Sequence, residues 1–263
     1  MHMARTLINA DFAQRVSLPP PTLGTWQDSP MPGVQRCMLD RVGGEVARAT
    51  SLVRYAAGSR FESHTHHGGE EFLVLEGVFS DQYGDYPAGT YVRNPPGSAH
   101  APFSSEGCVL FVKLWQFSAQ DLEPVRIDTH AAPWHQGMLP GLTVMPLHEH
   151  DGVSTALVRW APNTRFNPHT HPGGEEILVL DGVFQDEHGR YEQGSWLRNP
   201  SLSRHTPFTG AEGALIYVKV GHLGAWFSSV SGIEMPVPST SLTRRSRQRQ
   251  RGSASACSCL PVS

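Results

Sequence analysis

The sequence predicts an all-β protein of two tandem barrels packed into one body and followed by a disordered C-terminal tail. A long internal repeat, a regular alternation of short apolar runs with turn residues, and a change of composition near the C-terminus carry that reading. Gly58 to Phe79, GSRFESHTHHGGEEFLVLEGVF, aligns without gaps on Asn163 to Phe184, NTRFNPHTHPGGEEILVLDGVF, at an offset of 105 residues with 15 of 22 positions identical. The same offset carries Asp81, Gly84, Tyr86, Gly89, Arg93, Asn94, Pro95, Ser98, His100, Pro102 and Phe103 onto identical residues. Each copy is therefore about a hundred residues long, the size of one domain. The boundaries expected are a lead segment 1–20, a first domain 21–122, a second domain 123–234 and a tail 235–263.

Within a copy, apolar or alternating runs are interrupted every 8 to 12 residues by glycine, proline or asparagine, as in a small β-sandwich or barrel. Ala49 to Ala56, Glu71 to Glu76, Thr90 to Asn94 and Val109 to Leu114 read as strands. Gly58, Gly68-Gly69, Gly84 and Pro95-Pro96-Gly97 read as turns, and no convincing helix appears. Two such barrels are expected to pack together, because each alone would expose an apolar sheet face. From Met235 onward the chain is polar and poor in core-forming side chains, which predicts disorder.

Composition limits the function classes. Of 263 residues, 21 are basic and 24 acidic, a balance of −3 that supplies no field for nucleic acid or an anionic membrane. Five of the basic residues, Arg244, Arg245, Arg247, Arg249 and Arg251, lie in the tail, which leaves 16 against 24, or −8, for the rest. The arginines have no aromatic residue among them and read as a solvated tail rather than a nucleic-acid arm. No apolar run approaches the roughly 20 residues of a membrane-spanning helix, and Met1 to Leu18 lack a secretory signal, so a cytoplasmic protein is expected. Cys37 and Cys108 are isolated, and Cys257 and Cys259 have no further ligand near them to complete a zinc site.

The 14 histidines carry the functional signal. His64-Thr65-His66 places two imidazoles at i and i+2, on one face of a strand, where both reach a single ion. Glu70 opens the next strand after the turn, and His100 follows 30 residues later. The second copy repeats the set as His169, His171, Glu175 and His205. One divalent metal ion per copy is the expected cofactor. Of the paired glutamates, strand alternation sends Glu71 and Glu176 to the opposite face, so they are not expected as ligands. Arg93-Asn94, Arg198-Asn199, Arg60 and Arg165 are candidates to support the ligands or a bound carboxylate. His130, His135, His148, His150 and His222 have no partner pattern and read as hydrogen-bonding residues outside the site.

These residues resemble the cupin superfamily. Its first motif is met by Gly58, His64, His66, Glu70 and Gly77, and its second by Gly89, Pro95, Gly97 and His100, with Ser104 in place of the closing asparagine. In the second copy Gly194, Pro200 and His205 match, while Asn163 and Leu202 replace motif glycines, so slightly different turns are expected there, and Thr209 stands for the asparagine. The runs are similar to the ChrR-like cupins in particular. The resemblance implies a jelly-roll bicupin with a metal in each barrel, zinc or iron before manganese or nickel. It also implies a small-molecule substrate or ligand, with a homodimer left open.

Two functions follow from the resemblance. One is an Fe(II)-dependent dioxygenase acting on a small metal-chelating substrate such as a diketone or hydroxyketone, with Phe61, Phe72, Tyr91, Phe103 and their repeats shaping the pocket. The other is a non-catalytic zinc-binding sensor or regulator related to the ChrR anti-sigma factor. The short lead segment and the lack of a Cys-x-x-Cys motif speak against carrying sigma-factor binding over. An isomerase or lyase using the ion as a Lewis acid is a third reading, for which the residues offer no substrate signature.

Overall fold

A computed structural model describes residues 6–224. The expected tail and residues 1–5 lie outside the described residues, as do Cys257, Cys259 and the tail arginines. Apart from one 3-10 turn at Leu23–Thr25, every regular element described is a β-strand.

The main sheet of the first barrel runs in the order Thr6–Ile8, Val34–Gly43, Ala47–Tyr55, Cys108–Leu114, Glu70–Asp81, Thr90–Asn94 and Val125–Asp128, all antiparallel. Glu70–Asp81 is long enough to bend out of it, and its second half pairs with Gly84–Pro87 and Phe103 instead. The short ladder His64–His66 with Ser98–His100 completes the barrel wall. The second barrel repeats this plan, with a main sheet of His135–Gln136, Leu142–His150, Val153–Trp160, Phe208–Val220, Glu175–Asp186, Trp196–Asn199 and Val16–Leu18.

The outermost strands are exchanged. Val16–Leu18, which precedes the first barrel in sequence, pairs with Trp196–Asn199 of the second. Val125–Asp128, which leads into the second barrel, pairs with Thr90–Asn94 of the first. Ser17 faces Leu197 as Arg126 faces Val92, so the two exchanges are equivalent by the internal repeat. Each barrel thus covers an edge of the other, which removes unpaired backbone groups from the sheet ends.

Period-two alternation divides the apolar residues among three cores. Phe72, Val74, Phe79 and Val112 fill the first barrel, and Ile177, Val179, Phe184 and Ile216 fill the second. Leu73, Tyr91 and Phe111 point the other way and meet Leu178, Trp196 and Tyr217 between the barrels. The apolar run Phe72-Leu73-Val74-Leu75 is therefore a strand buried on both faces, with even positions inside its barrel and odd positions in the seam.

The seam also holds a buried ionic network with the same reciprocity. Glu71 accepts from Lys219 and Tyr217 of the second barrel and from Arg93 at 2.9 Å. Glu176 accepts from Lys113 of the first barrel, from His222, and from Thr50 at 3.3 Å. Bulges at Leu39 and Leu147 turn Asp40 toward Arg198 at 3.3 Å and His148 toward Asp121 at 3.0 Å. His148 and His222 are thus hydrogen-bonding residues of the seam. Burial draws the His222 pKa down to about 4, so at neutral pH it donates as the uncharged imidazole.

Burial opposes ionisation of Glu71, yet Lys219 and Arg93 outweigh it and hold the carboxyl well below its usual range. Lys113 and His222 do the same for Glu176. Because both folded-state values are depressed, this stability is present above the ordinary carboxylate pKa and is lost as pH falls through the folded one. Lys219→Met is expected to lower unfolding free energy by about 3 kcal/mol, because the buried Glu71 loses one of its two cationic partners and is left to share Arg93 with Asp121. Glu71→Gln combined with Lys219→Met keeps an acceptor for Tyr217 and Arg93 and should recover most of that loss. Urea denaturation of the three chains at neutral pH checks this, and the single variant should lose less additional stability on acidification than the parent.

Candidate metal centre

Each donor set sits inside its barrel where the short histidine ladder faces the start of the long strand. His64 and His66 project from one face of their strand, and His100 lies directly opposite His64 in the neighbouring one. Glu70, the first residue of Glu70–Asp81, meets them from the main sheet. The three imidazole donor atoms lie within 4.8 Å of one another in each barrel, His64, His66 and His100 in one and His169, His171 and His205 in the other. His66 Nε2 is 2.9 Å from His100 Nε2, and the Glu70 carboxylate is 3.4 Å from the first and 3.6 Å from the second. The second barrel repeats these separations at 3.0, 3.5 and 3.6 Å with His171, His205 and Glu175.

The six histidines singled out from the sequence therefore gather as two triads, and Glu70 and Glu175 each lie within 3.6 Å of two of their three rings. Donors held about 2.1 Å from one ion lie about 3.0 Å apart at right angles and about 3.4 Å apart at the tetrahedral angle. The separations of 2.9 to 3.6 Å among two imidazoles and the carboxylate lie near that range, with the third imidazole within 4.8 Å, so the residues present fit a mixed imidazole and carboxylate site for a divalent ion.

The orientation of the rings supports the fit. His100 Nδ1 faces the Asp81 carboxylate at 3.1 Å and His64 Nδ1 faces the Glu62 carbonyl at 2.9 Å. Both partners are acceptors, which puts the proton on Nδ1 and leaves the Nε2 lone pair facing inward. His205 with Asp186 at 3.3 Å and His169 with the Asn167 carbonyl at 3.0 Å repeat the arrangement. Burial, with the neighbouring imidazole, lowers the His171 pKa to about 4, and burial lowers those of His66 and His169. Neutral imidazole is the form a metal requires.

Asn94 donates to the Glu70 carboxylate at 2.9 Å, and Asn199 to Glu175 at 2.8 Å. Of the Arg-Asn pairs, the asparagines therefore support the ligands while Arg93 and Arg198 serve the seam. Arg60 and Arg165 lie over Phe103 and Phe208. Phe61 stands 5.8 Å from His64 and Phe79 6.0 Å from His100 between ring centroids. Tyr91, expected in the pocket, lies instead in the seam between the barrels, because its neighbour Val92 takes the inward position. Asp81 and Asp186 were not singled out, although their identity across the two copies was the signal that could have marked them.

The second barrel keeps its turns despite the missing glycines. Asn163 and Leu202 hold φ of 55° and 64° where Gly58 and Gly97 hold 80° and 88°. The turns expected to differ thus share one left-handed backbone conformation. Leu202 adopts it at a cost of about 1 kcal/mol because its N–H is held by the His171 carbonyl, as that of Gly97 is by His66.

Residues 21–118 and 122–224 each match the ChrR cupin-like domain family. The chain belongs to that family. This bicupin also resembles solved structures in fold. A candidate dioxygenase from Nostoc punctiforme aligns with a TM-score of 0.61 at 15% identity, covering 85% of each chain. A candidate glyoxylate-induced protein from Pseudomonas aeruginosa aligns with a TM-score of 0.63 at 12% identity, covering 78% of this bicupin and 87% of that chain. A mutant of Bacillus subtilis oxalate decarboxylase aligns with a TM-score of 0.55 at 13% identity, covering 79% of this bicupin and 78% of that chain. At such identities the likeness establishes the fold alone. No curated protein matches by sequence. Among the described residues no helix is long and apolar enough to cross a membrane.

Replacing Asp81 by Ala frees the His100 ring and is expected to weaken metal binding in the first barrel by roughly 10- to 100-fold while sparing the second. Competition with a chromophoric chelator checks it, and Asp186→Ala should show the converse pattern.

Proposed function

We propose that this bicupin holds one divalent metal in each barrel through His64, His66, Glu70 and His100 and through His169, His171, Glu175 and His205. We further propose that it acts as an iron-dependent dioxygenase on a small diketone or hydroxyketone. The observation that carries the reading is the one-sided closure of each donor set. His100 and Glu70 lie at the back with His66 beside them, its side chain 10% exposed like that of Glu70, whereas His64 stands partly exposed at the front, and the second barrel repeats this order with His169 in front. Four protein donors on a six-coordinate ion would leave two positions, enough for one substrate oxygen and dioxygen, whereas a tetrahedral structural site would leave none. A bound redox-active ion would supply oxygen activation beside a bound substrate oxygen.

The chain's own residues supply the rest. Asp81 and the Glu62 carbonyl fix the imidazole tautomers, and Asn94 orients the carboxylate. Phe61 and Phe79 keep an apolar wall beside the donors that favours a compact, weakly charged ligand. Among the described residues no other carboxylate or amine accompanies the donors as a hydrogen-bonded acid or base apart from Asp81 and Asp186, which accept from ring nitrogens, from Tyr86 and Tyr191 and from backbone N–H groups. Chemistry resting on the ion suits that arrangement better than general acid–base catalysis.

Anaerobically purified chain, reconstituted with Fe(II), is expected to carry two metal equivalents and to consume oxygen only when a β-diketone or hydroxyketone is added. Separate His64→Ala and His169→Ala variants should each lose one equivalent, and unequal loss of uptake would identify the more active barrel. Two tightly held zinc ions with no oxygen uptake after iron exchange would overturn the dioxygenase reading in favour of a zinc-binding sensor or regulator.

A further inference from the structure

The two donor sets are near copies within one chain, so a side chain that backs only one of them stands out. Arg126 is such a residue. It lies on the exchanged strand Val125–Asp128, opposite Val92, and donates to the Arg93 carbonyl at 2.8 Å, the Val125 carbonyl at 2.7 Å and Asn94 Oδ1 at 2.5 Å. Asn94 in turn donates from Nδ2 to the Glu70 carboxylate at 2.9 Å. The equivalent residue in the second barrel is Ser17, opposite Leu197. There Asn199 makes the same bond to Glu175 at 2.8 Å, but its Oδ1 is buried with no partner among the described residues. The arginine beside Ser17, Arg15, reaches Asp186 at 3.5 Å, behind the histidine rather than behind the carboxylate.

We propose that Arg126 is a positioning residue for the first centre and makes the two centres unequal in how firmly they hold a metal. The inference rests on the reading that each donor set binds one. A guanidinium has donors only, so it must face the oxygen of Asn94, and this commits the amide nitrogen to Glu70. A charge-assisted bond at one end of the amide also strengthens the donor at the other. Glu70 is therefore held in one pose by a two-link relay, Arg126 to Asn94 to Glu70. Glu175 is held by a single link whose amide has nothing fixing its far end. Among the described residues Arg126 has no carboxylate partner of its own, so its charge goes to this relay, the two backbone carbonyls and the face of Tyr86, 5.6 Å from its guanidinium.

Reciprocal exchange in the full chain tests this, with Co(II) as the metal. The first centre is isolated by His169→Ala with His171→Ala, and the second by His64→Ala with His66→Ala. The first centre is expected to bind Co(II) more tightly than the second. Arg126→Ser should weaken the first about tenfold, within the range for loss of an outer partner. Ser17→Arg should tighten the second and shift its visible Co(II) spectrum toward that of the first, a gain that a merely structural arginine could not produce. Should Arg126→Ser lower the melting temperature of the metal-free chain, the Ser17→Arg arm still decides, since that position is exposed. Co(II) bound at both centres with affinities and spectra unmoved by either exchange overturns this inference alone. Failure of both isolated centres to bind overturns the metal reading, and this inference with it.

Discussion

The alternation of one strand organises the molecule. Glu70 and Glu71 are adjacent, and an extended backbone must send them to opposite faces. Glu70 meets His66 and His100 inside its barrel, and Glu71 meets Lys219 and Tyr217 from the other barrel. Glu175 and Glu176 divide in the same way. Site and seam are therefore two sides of a single strand in each barrel, and a register slip of one residue would exchange the histidine-facing carboxylate with the seam-facing one. Exchanged edge strands and reciprocal ion pairs hold that register from outside, which gives the donor sets a rigid support.

A buried ion pair is weak evidence of net stability, because desolvation offsets much of the attraction. Its clearer effect here is specificity. An apolar seam of Leu73, Phe111, Leu178 and Tyr217 would tolerate sliding, whereas Glu71 and Glu176 each have cationic partners at defined places. The two barrels can meet in this one arrangement without leaving a buried charge unpaired. The same arrangement brings Val125–Asp128 behind the first donor set and Val16–Leu18 behind the second, so residues outside each copy's motif reach the rear of its site.

Much of this was legible in the sequence because it is local or repeated. The ligand spacing survives as a pattern of residues on short strands, and Thr90–Asn94 was placed to the residue. Ala49 to Ala56 and Val109 to Leu114 were found with ends displaced by one or two positions. Val34–Gly43 was not singled out, since its polar and apolar residues follow the seam and a bulge rather than strict alternation. The role of Glu71 as a non-ligand was readable from alternation, but its partners come from about 146 residues away, and no local pattern announces such a pairing. Tyr91 was misplaced for a related reason: with both sheet faces buried, an aromatic residue reads alike whether it lines a pocket or a seam. Strand exchange left no trace because three-residue edge strands carry too little pattern to be assigned a partner.

Anomalous diffraction from metal-loaded crystals tests the central claim most directly. Two peaks per chain are expected, one about 2.0 to 2.2 Å from the inward nitrogens of His64, His66 and His100 with Glu70 in contact, and one placed equivalently among His169, His171, Glu175 and His205. A loaded crystal with no peak at either position, or with metal bound elsewhere on the chain, would contradict it.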